Sequence, residues 1–137
     1  MNKFSRFKSD YTVRPDDIDM FQHVHNSKYF DYVLAARYDQ MRDGYGMSME
    51  QFISDGYGWV VKSASVNYKR PLKMGNKFTV ETGIDSMHSK GCRVTFEIRF
   101  KENEKLACDG WFDYILIDIK TGRSSIISEE MMKIYSV

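Results

Sequence analysis

The chain has 137 residues, of which 42% are hydrophobic and 28% are charged, as expected for one globular domain with a buried core. This composition excludes a mainly disordered chain, and a net charge of +1 gives no field that would favour nucleic acid or an anionic membrane. No apolar run approaches the ~20 residues of a membrane span, and residues 1–8 lack the apolar segment of a signal peptide. We therefore predict one domain, residues 1–137, in the cytoplasm, with reduced core thiols at Cys92 and Cys108.

The first half of the chain predicts one strand followed by one long helix. The strand is predicted over residues 4–13. The side chains of Asn26 and Ser27 can accept from the free N–H groups of a helix start, which predicts a helix over residues 27–42. A helix with one narrow polar stripe is buried on most of its sides. That stripe consists of Lys28, Asp31, Ala35, Asp39 and Arg42.

The second half of the chain predicts an antiparallel sheet. Apolar and polar residues alternate with the two-residue period of half-buried strands. A register that places Phe100 opposite Leu106 keeps the acidic residues of the last strand out of the apolar row. Short helices capped by Ser48 and Ser128 flank the sheet, and the whole order predicts an α+β domain. The four strands are predicted over residues 57–68, 77–85, 92–101 and 106–119.

The segment from Asp17 to Asn26 concentrates acids, histidines and an amide directly before the predicted helix. A helix N-terminus supplies positive potential and free N–H groups. A carboxylate at this place, Asp19 above all, can act as a general base or nucleophile while the helix end polarises a carbonyl. The alternative is a capping loop, in which Asp19 and Asn26 only satisfy backbone donors. Asp17 is expected to have a purely structural role.

Two other groups of side chains are candidates for ligand binding. His23 and His25 form a His-x-His pair, which together with Asp19 would give three zinc ligands. No further ligand cluster is evident, and we therefore expect no metal. Lys69 and Arg70 lie in a basic stretch that either holds phosphate groups or forms a solvated hairpin end.

Two longer motifs follow one another in a defined order along the chain. The first is Asp17-Ile18-Asp19 through His23-Val24-His25-Asn26, followed by Tyr29, Tyr32 and Ala36-Arg37. The second is Val66-Asn67-Tyr68-Lys69-Arg70-Pro71-Leu72, followed by Gly75. Both closely resemble the 4-hydroxybenzoyl-CoA thioesterase-like branch of the hot-dog superfamily. The resemblance implies a hot-dog fold, in which a curved antiparallel sheet wraps around one long central helix.

The same resemblance implies an acyl-CoA thioesterase that hydrolyses a fatty or aromatic acyl thioester to free acid and coenzyme A. Coenzyme A is then part of the substrate, and no cofactor is required. Asp19 would be the general base or nucleophile, and His23 and Asn26 would orient the loop, the water or the substrate. The implied substrate-binding residues are Tyr29, Tyr68, Lys69 and Arg70. Family members assemble through their sheets, which implies a homodimer or homotetramer.

Several departures from the family pattern bear on the function. Leu34 and Ala35 replace a frequent Glu-Glu pair, which leaves Asp19 as the one clear catalytic acid. Phe21 stands where acyl-carrier-protein thioesterases have a catalytic Asn, which weakens that alternative without removing it. A non-catalytic acyl-CoA-binding module is the other alternative. A hot-dog hydratase would need a second acid or an Asn-Pro pair beside its His, and neither is present.

Overall fold

The computed structural model describes residues 4–135 and contains a single five-stranded antiparallel sheet in the order β1-β3-β4-β5-β2. This confirms the predicted α+β class. The predicted domain spans residues 1–137, and its first three and last two residues lie outside the described part. No helix in residues 4–135 is both long and apolar enough to cross a membrane. The elements are β1 (Arg6–Thr12), α1 (Asn26–Asp43), α2 (Met49–Ser54), β2 (Tyr57–Tyr68), β3 (Lys77–Met87), β4 (Gly91–Phe100), β5 (Leu106–Asp118) and α3 (Glu129–Tyr135).

The core lies between α1 and one face of the sheet. In β4 the side chains alternate between buried and half-buried positions, as the two-residue period predicts. Three phenylalanines from neighbouring strands, Phe78, Phe96 and Phe112, are fully buried in this layer. Burial of each such ring contributes about 1.5–3 kcal/mol, and together they fix the sheet against the helix.

Helix α1 begins one residue earlier than predicted, and its cap is different. His25 is the N-cap residue, and its Nδ1 accepts from the Ser27 N–H at 3.2 Å. The expectation that the Asn26 and Ser27 side chains cap the helix was therefore wrong. Asn26 is already the first helical residue, so its side chain is not in the capping position.

The buried side of α1 is more polar than the sequence pattern indicated. Arg37 and Gln40 are both buried, together with Thr82 of β3. The Arg37 guanidinium donates to Thr82 Oγ1 at 3.0 Å, and the Thr82 hydroxyl donates to Gln40 Oε1. The Gln40 amide in turn donates to Ser9 Oγ of β1 at 2.9 Å. We call these four residues the polar chain. It connects α1 with β1 and β3 through the apolar core.

The predicted register between β4 and β5 is confirmed except at one end. Val94 lies opposite Phe112 and Arg93 opposite Asp113, but Leu106 lies opposite Arg99 instead of Phe100. A bulge at Ala107 shifts the pairing by one residue. The extra residue leaves the Ala107 carbonyl free to accept from the chain that follows β2.

Candidate active site

The segment from Ile18 to Val24 forms a tight loop directly before α1. The two end residues pair as an isolated antiparallel bridge. Inside the loop, Asp19 N donates to His23 O at 2.8 Å and Gln22 N donates to Asp19 O at 3.0 Å. Gln22 has a φ of 64°, in the left-handed region that non-glycine residues adopt only where the surrounding contacts fix it.

The Asp19 carboxylate is held by its own loop. Its Oδ1 accepts from Phe21 N at 2.9 Å and from His23 N at 3.3 Å. Within residues 4–135 no hydrogen-bond donor is found for the second oxygen, Oδ2. The capping role predicted as an alternative is therefore present at Oδ1. Oδ2 remains available for a water molecule or a substrate, so capping and chemistry do not exclude each other here.

The loop is joined on its other side to the segment after β2. Val24 N donates to Leu72 O at 2.8 Å, and Met74 N donates to Gln22 O at 3.1 Å. His23 and Lys73 form a further antiparallel bridge between these two segments. This pairing brings the Asp19 loop against the basic stretch, although about fifty residues of chain separate them.

Asp17, directly before the loop, fixes its start through buried hydrogen bonds. It is only 2% exposed, and its carboxylate accepts from Tyr32 Oη at 2.5 Å and from Arg14 Nε at 3.2 Å. Burial raises the pKa of Asp17, but the hydrogen bonds from Tyr32 and Arg14 outweigh it and lower the pKa below its usual value. The Asp17 carbonyl also accepts from His25 N at 2.9 Å. Asp17 thus joins the loop, α1 and the chain after β1.

The start of α1 follows the loop directly and has one further N–H group. Ser27 N donates to His25 Nδ1, and Lys28 N donates to His25 O at 2.8 Å. In the described part of the chain, no acceptor is found for the Asn26 N–H. A backbone N–H at a helix N-terminus is a suitable donor for a carbonyl oxygen that acquires negative charge.

Two tyrosines form a wall beside the helix start. The Tyr29 hydroxyl, on the first turn of α1, accepts from Leu72 N at 2.9 Å, and burial raises the pKa of this phenol. Tyr68 ends β2, packs edge-on against Tyr29 with 5.2 Å between ring centroids, and donates to the Asn26 carbonyl at 3.1 Å. Tyr29 therefore supports the wall, while Tyr68 is half-exposed.

The basic stretch is positioned by the bulge in β5. The Ala107 carbonyl accepts from Lys69 N at 2.8 Å and from Arg70 N at 3.0 Å. The Arg70 guanidinium also donates to the Leu106 carbonyl at 2.8 Å through Nη1. Because the backbone is fixed on both sides, the two cationic side chains start from defined positions at the rim of the site.

The predicted site residues line one cavity of about 200 Å³. All seven predicted catalytic and substrate-binding residues belong to it, and the sequence analysis did not include Val24 and Pro71. The cavity lining combines a carboxylate, the start of a helix and two cationic side chains. Its full lining is Asp19, His23, Val24, Asn26, Tyr29, Tyr68, Lys69, Arg70 and Pro71.

The zinc hypothesis finds no ligand cluster in the described residues. No group of three or more His, Cys, Asp or Glu side chains there is arranged to hold a metal ion. His25 uses Nδ1 to accept from Ser27 N and also contacts Ser27 Oγ at 2.8 Å. Its imidazole therefore caps the helix and does not line the cavity.

Besides Val24 and Pro71, three features that build this site were not predicted from the sequence: the burial of Asp17, the bulge at Ala107 and the cap by His25. Asp17 was recognised as structural, but its burial was not expected. The sequence carried one signal, since Arg14 precedes Asp17 by three residues and can pair with it. The Ala107 bulge and the His25 cap left no such signal.

The geometry of the fold and of this cavity defines the class of protein. An antiparallel sheet packed on one long helix is the architecture of the hot-dog fold. A model of the thioesterase-like superfamily matches residues 13–134. The chain belongs to this superfamily, and it is a thioester hydrolase.

Individual relatives are similar over almost their whole length. The long-chain acyl-CoA thioesterase FadM of Escherichia coli is 23% identical over 119 residues, which cover 87% of this chain and 89% of that protein. The 1,4-dihydroxy-2-naphthoyl-CoA thioesterase Slr0204 of Synechocystis has a TM-score of 0.85 and 17% identity, with 96% of each chain covered. SAV2348 of Staphylococcus aureus, solved in complex with CoA, has a TM-score of 0.82 and 19% identity, with 96% of this chain and 82% of that one covered. These similarities confirm the predicted hot-dog fold.

Proposed function

We propose that the protein hydrolyses acyl-CoA thioesters in the cavity between the Asp19 loop, the start of α1 and the basic stretch after β2. The observation that carries this proposal is that the Asp19 loop, the helix start at Asn26 and the basic stretch with Lys69 and Arg70 line one cavity. Hydrolysis of a CoA thioester uses a base or nucleophile to attack the carbonyl carbon. It also uses a donor to stabilise the oxyanion, and a cationic rim can bind the phosphates of CoA.

The reaction begins when the Asp19 carboxylate acts on the thioester carbonyl in one of two ways. As a general base, it takes a proton from water, and the resulting hydroxide attacks the carbonyl carbon. As a nucleophile, it attacks the carbon itself and forms an anhydride that water then hydrolyses. In both routes the C–S bond breaks, the thiolate leaves and takes up a proton, and the free acid remains. The Asn26 N–H stabilises the negative charge on the carbonyl oxygen, while His23 and the Asn26 side chain orient water or substrate.

Coenzyme A is the thiol carrier that we propose. FadM acts on long-chain acyl-CoA, Slr0204 acts on an aromatic acyl-CoA, and SAV2348 binds CoA. Lys69 and Arg70 supply positive charge for the CoA phosphates, and the half-exposed Tyr68 ring supplies an apolar surface beside them. The acyl group is then fatty or aromatic, in line with the aromatic content of 15%.

We further propose that the protein works as a homodimer or homotetramer in the cytoplasm. β2 forms one edge of the sheet, and an edge strand can pair with a second copy. Met20 and Phe21 in the Asp19 loop are 89% and 73% exposed, which favours a partner surface next to the cavity. Light scattering that finds a stable monomer at micromolar concentration would contradict the assembly. The two free, buried cysteines fit a reducing compartment.

The decisive test replaces Asp19 by Asn and measures hydrolysis across a panel of acyl-CoA and acyl-carrier-protein thioesters. Asn keeps the size and can still accept from Phe21 N, but it loses the charge and the basicity. We expect kcat to fall by about 10²–10⁴-fold and substrate binding to change little.

Asp16→Asn is the matched control, because Asp16 is an exposed acid in the same segment and does not line the cavity. We expect it to retain full activity. If Asp19→Asn folds normally and also turns over at the wild-type rate, the mechanism is wrong and the acyl-CoA-binding module becomes the better interpretation. If only the acyl-carrier-protein thioesters are hydrolysed, the proposed carrier is wrong while the role of Asp19 stands.

A further inference from the structure

The N-cap residue of α1 is a histidine, and its imidazole can cap the helix only in the neutral form. His25 Nδ1 accepts from Ser27 N at 3.2 Å and lies 2.8 Å from Ser27 Oγ. A backbone N–H can only donate, so this hydrogen bond requires an unprotonated Nδ1, with the ring proton on Nε2. The cap of α1 therefore depends on the protonation state of His25.

Protonation of the imidazole removes this cap and adds an unfavourable charge. A protonated Nδ1 can only donate, so it meets the Ser27 N–H as a second donor, even though it can still donate to Ser27 Oγ. The imidazolium also places a positive charge at the positive end of the α1 dipole. Histidine is the side chain whose charge ordinarily changes between about pH 5 and 8. The start of α1 is therefore sensitive to pH in this range.

The turn that His25 caps belongs to the thioesterase cavity. His25 lies between Val24 and Asn26 in the chain, and both of these residues line the cavity. His25 N donates to the Asp17 carbonyl at 2.9 Å, and the Tyr68 hydroxyl donates to the Asn26 carbonyl at 3.1 Å. The imidazole itself caps the helix outside the cavity lining. It can influence the reaction only through the position of Asn26.

The segments around His25 carry other titratable groups, and one of these groups competes with it as a cause of pH dependence. Carboxylates ordinarily take up protons below the range of an imidazole, and phenols and amines lose theirs above it. This leaves His23, which lines the cavity, as the group to be distinguished from His25. Among residues 4–135, only Ser27 forms a hydrogen bond with the His25 imidazole. The neighbouring groups are Arg14, Asp16 and Asp17 before the loop, Asp19 and His23 in the loop, Lys28, Tyr29, Asp31 and Tyr32 on α1, and Tyr68, Lys69, Arg70 and Lys73 at and after the end of β2.

We propose that His25 is a positioning residue of the thioesterase reaction, and that hydrolysis requires its neutral imidazole to hold the start of α1 in place. This inference rests on the proposed function, because it assigns to His25 a role in the reaction at the Asp19 cavity. When the imidazole is protonated, the first turn loses its cap and Asn26 loses its fixed position. Turnover falls while the fold persists, and no proton passes between His25 and the substrate.

The pH dependence of kcat/KM in two His25 variants tests the proposal. Asn is a preferred N-cap residue that does not titrate, whereas Ala cannot cap. Between pH 8 and pH 5, the range of imidazole titration, we expect kcat/KM of the wild type to fall. A fall of about tenfold lies within the ~10²-fold that a misplacement of about 1 Å can cost. His25→Asn should keep the high value throughout this range, and His25→Ala should have the low value throughout.

His88→Asn is the matched control, because His88 is an exposed histidine outside the cavity. It should show the same fall as the wild type. A fall that persists in His25→Asn would assign the pH dependence to His23 or another group and overturn the proposal. Wild-type activity of His25→Ala at the alkaline end of the range would also overturn it. A wild type that hydrolyses no acyl thioester contradicts the proposed function instead.

Nuclear magnetic resonance measures the cap without any substrate. In the isotopically labelled wild type, we expect the Ser27 amide signal to shift with the same midpoint as the ring nitrogens of His25. In His25→Asn the Ser27 signal should stay constant over the range of imidazole titration. A wild-type Ser27 signal that does not follow the His25 ring overturns the proposal, whether or not the protein hydrolyses the thioesters tested.

Discussion

Asp17 gives the sharpest stability prediction, because its buried carboxylate joins three segments of the chain. Asp17→Asn keeps the volume but removes the charge that Tyr32 and Arg14 contact at 2.5 and 3.2 Å. Hydrogen bonds to a charged group contribute about 1.5–3 kcal/mol and neutral ones about 0.5–1.5 kcal/mol. The amide retains one acceptor and turns a donor towards the other partner. We therefore expect a loss of about 2 kcal/mol in the free energy of unfolding.

This loss converts into a measurable shift of the melting temperature. An unfolding entropy of about 2.1 cal/mol/K per residue gives about 0.3 kcal/mol/K for 137 residues, so Asp17→Asn should melt about 7 °C below the wild type at pH 7. Calorimetry or circular dichroism measures the shift. The exposed Asp16→Asn should change the melting temperature by less than about 2 °C, since surface substitutions lie within about 0.5 kcal/mol. An equally small shift for Asp17→Asn would refute the reasoning.

The pKa of Asp17 predicts how the stability difference between the wild type and Asp17→Asn depends on pH. The pKa of Asp17 is lower in the folded protein than its usual value, so its contribution to stability is complete above the unfolded-state pKa of about 3.9. It is lost as the pH falls from there through the lower folded-state pKa. The gap between wild type and Asp17→Asn should accordingly be constant from pH 7 to about pH 5 and close in more acidic solution. A gap that is unchanged at low pH would mean that the carboxylate charge is not the cause.

Three further predictions follow from single contacts. Tyr29→Phe removes the acceptor of the buried Leu72 N–H. We expect denaturant titration to show a loss of about 1–3 kcal/mol in the free energy of unfolding, and we expect a raised KM. An unchanged KM would mean that Tyr29 does not contribute to the substrate wall. Gly110→Ala places a Cβ 2.0 Å from the Ser65 carbonyl oxygen of β2. We expect this overpacking to lower the free energy of unfolding by about 1–3 kcal/mol in denaturant titration. An unchanged free energy of unfolding would show that β2 can move away from the added methyl group. Burial raises the pKa of Cys92 and of Cys108 to about 12. Neither thiol should therefore react with Ellman's reagent before the protein unfolds. Rapid reaction of either thiol in the folded protein would contradict this.

Much of the sheet was predictable, because strand patterns depend on burial that repeats every two residues. The Tyr57–Tyr68 strand was predicted with its observed bounds, and the pairing of Arg93 with Asp113 was obtained from the register argument. The Ala107 bulge was not predictable. The apolar alternation continues on both sides of it, and an inserted alanine is small enough to be buried without disturbing that pattern.

The candidate site was predicted by resemblance more than by physics. Spacing in the sequence does not bring Asp19 and Arg70 together, since their proximity depends on the pairing of Val24 with Leu72. The His25 cap was missed because the neighbouring Asn26 and Ser27 are commoner capping residues. The burial of Arg37 was not predicted, because an arginine is almost never fully buried unless it is paired.

The polar chain has a consequence for how α1 is oriented. Apolar side chains would accept the helix at several rotations about its axis, because dispersion contacts have little directional preference. The hydrogen bonds of Gln40 with Thr82 and Ser9 are satisfied at one rotation, and a slip by a single residue turns the helix by about 100° and separates all of them. The polar chain therefore fixes the rotation of α1 about its own axis. Asn26, about four turns away at the start of the helix, is thus oriented in the cavity by contacts that no substrate touches.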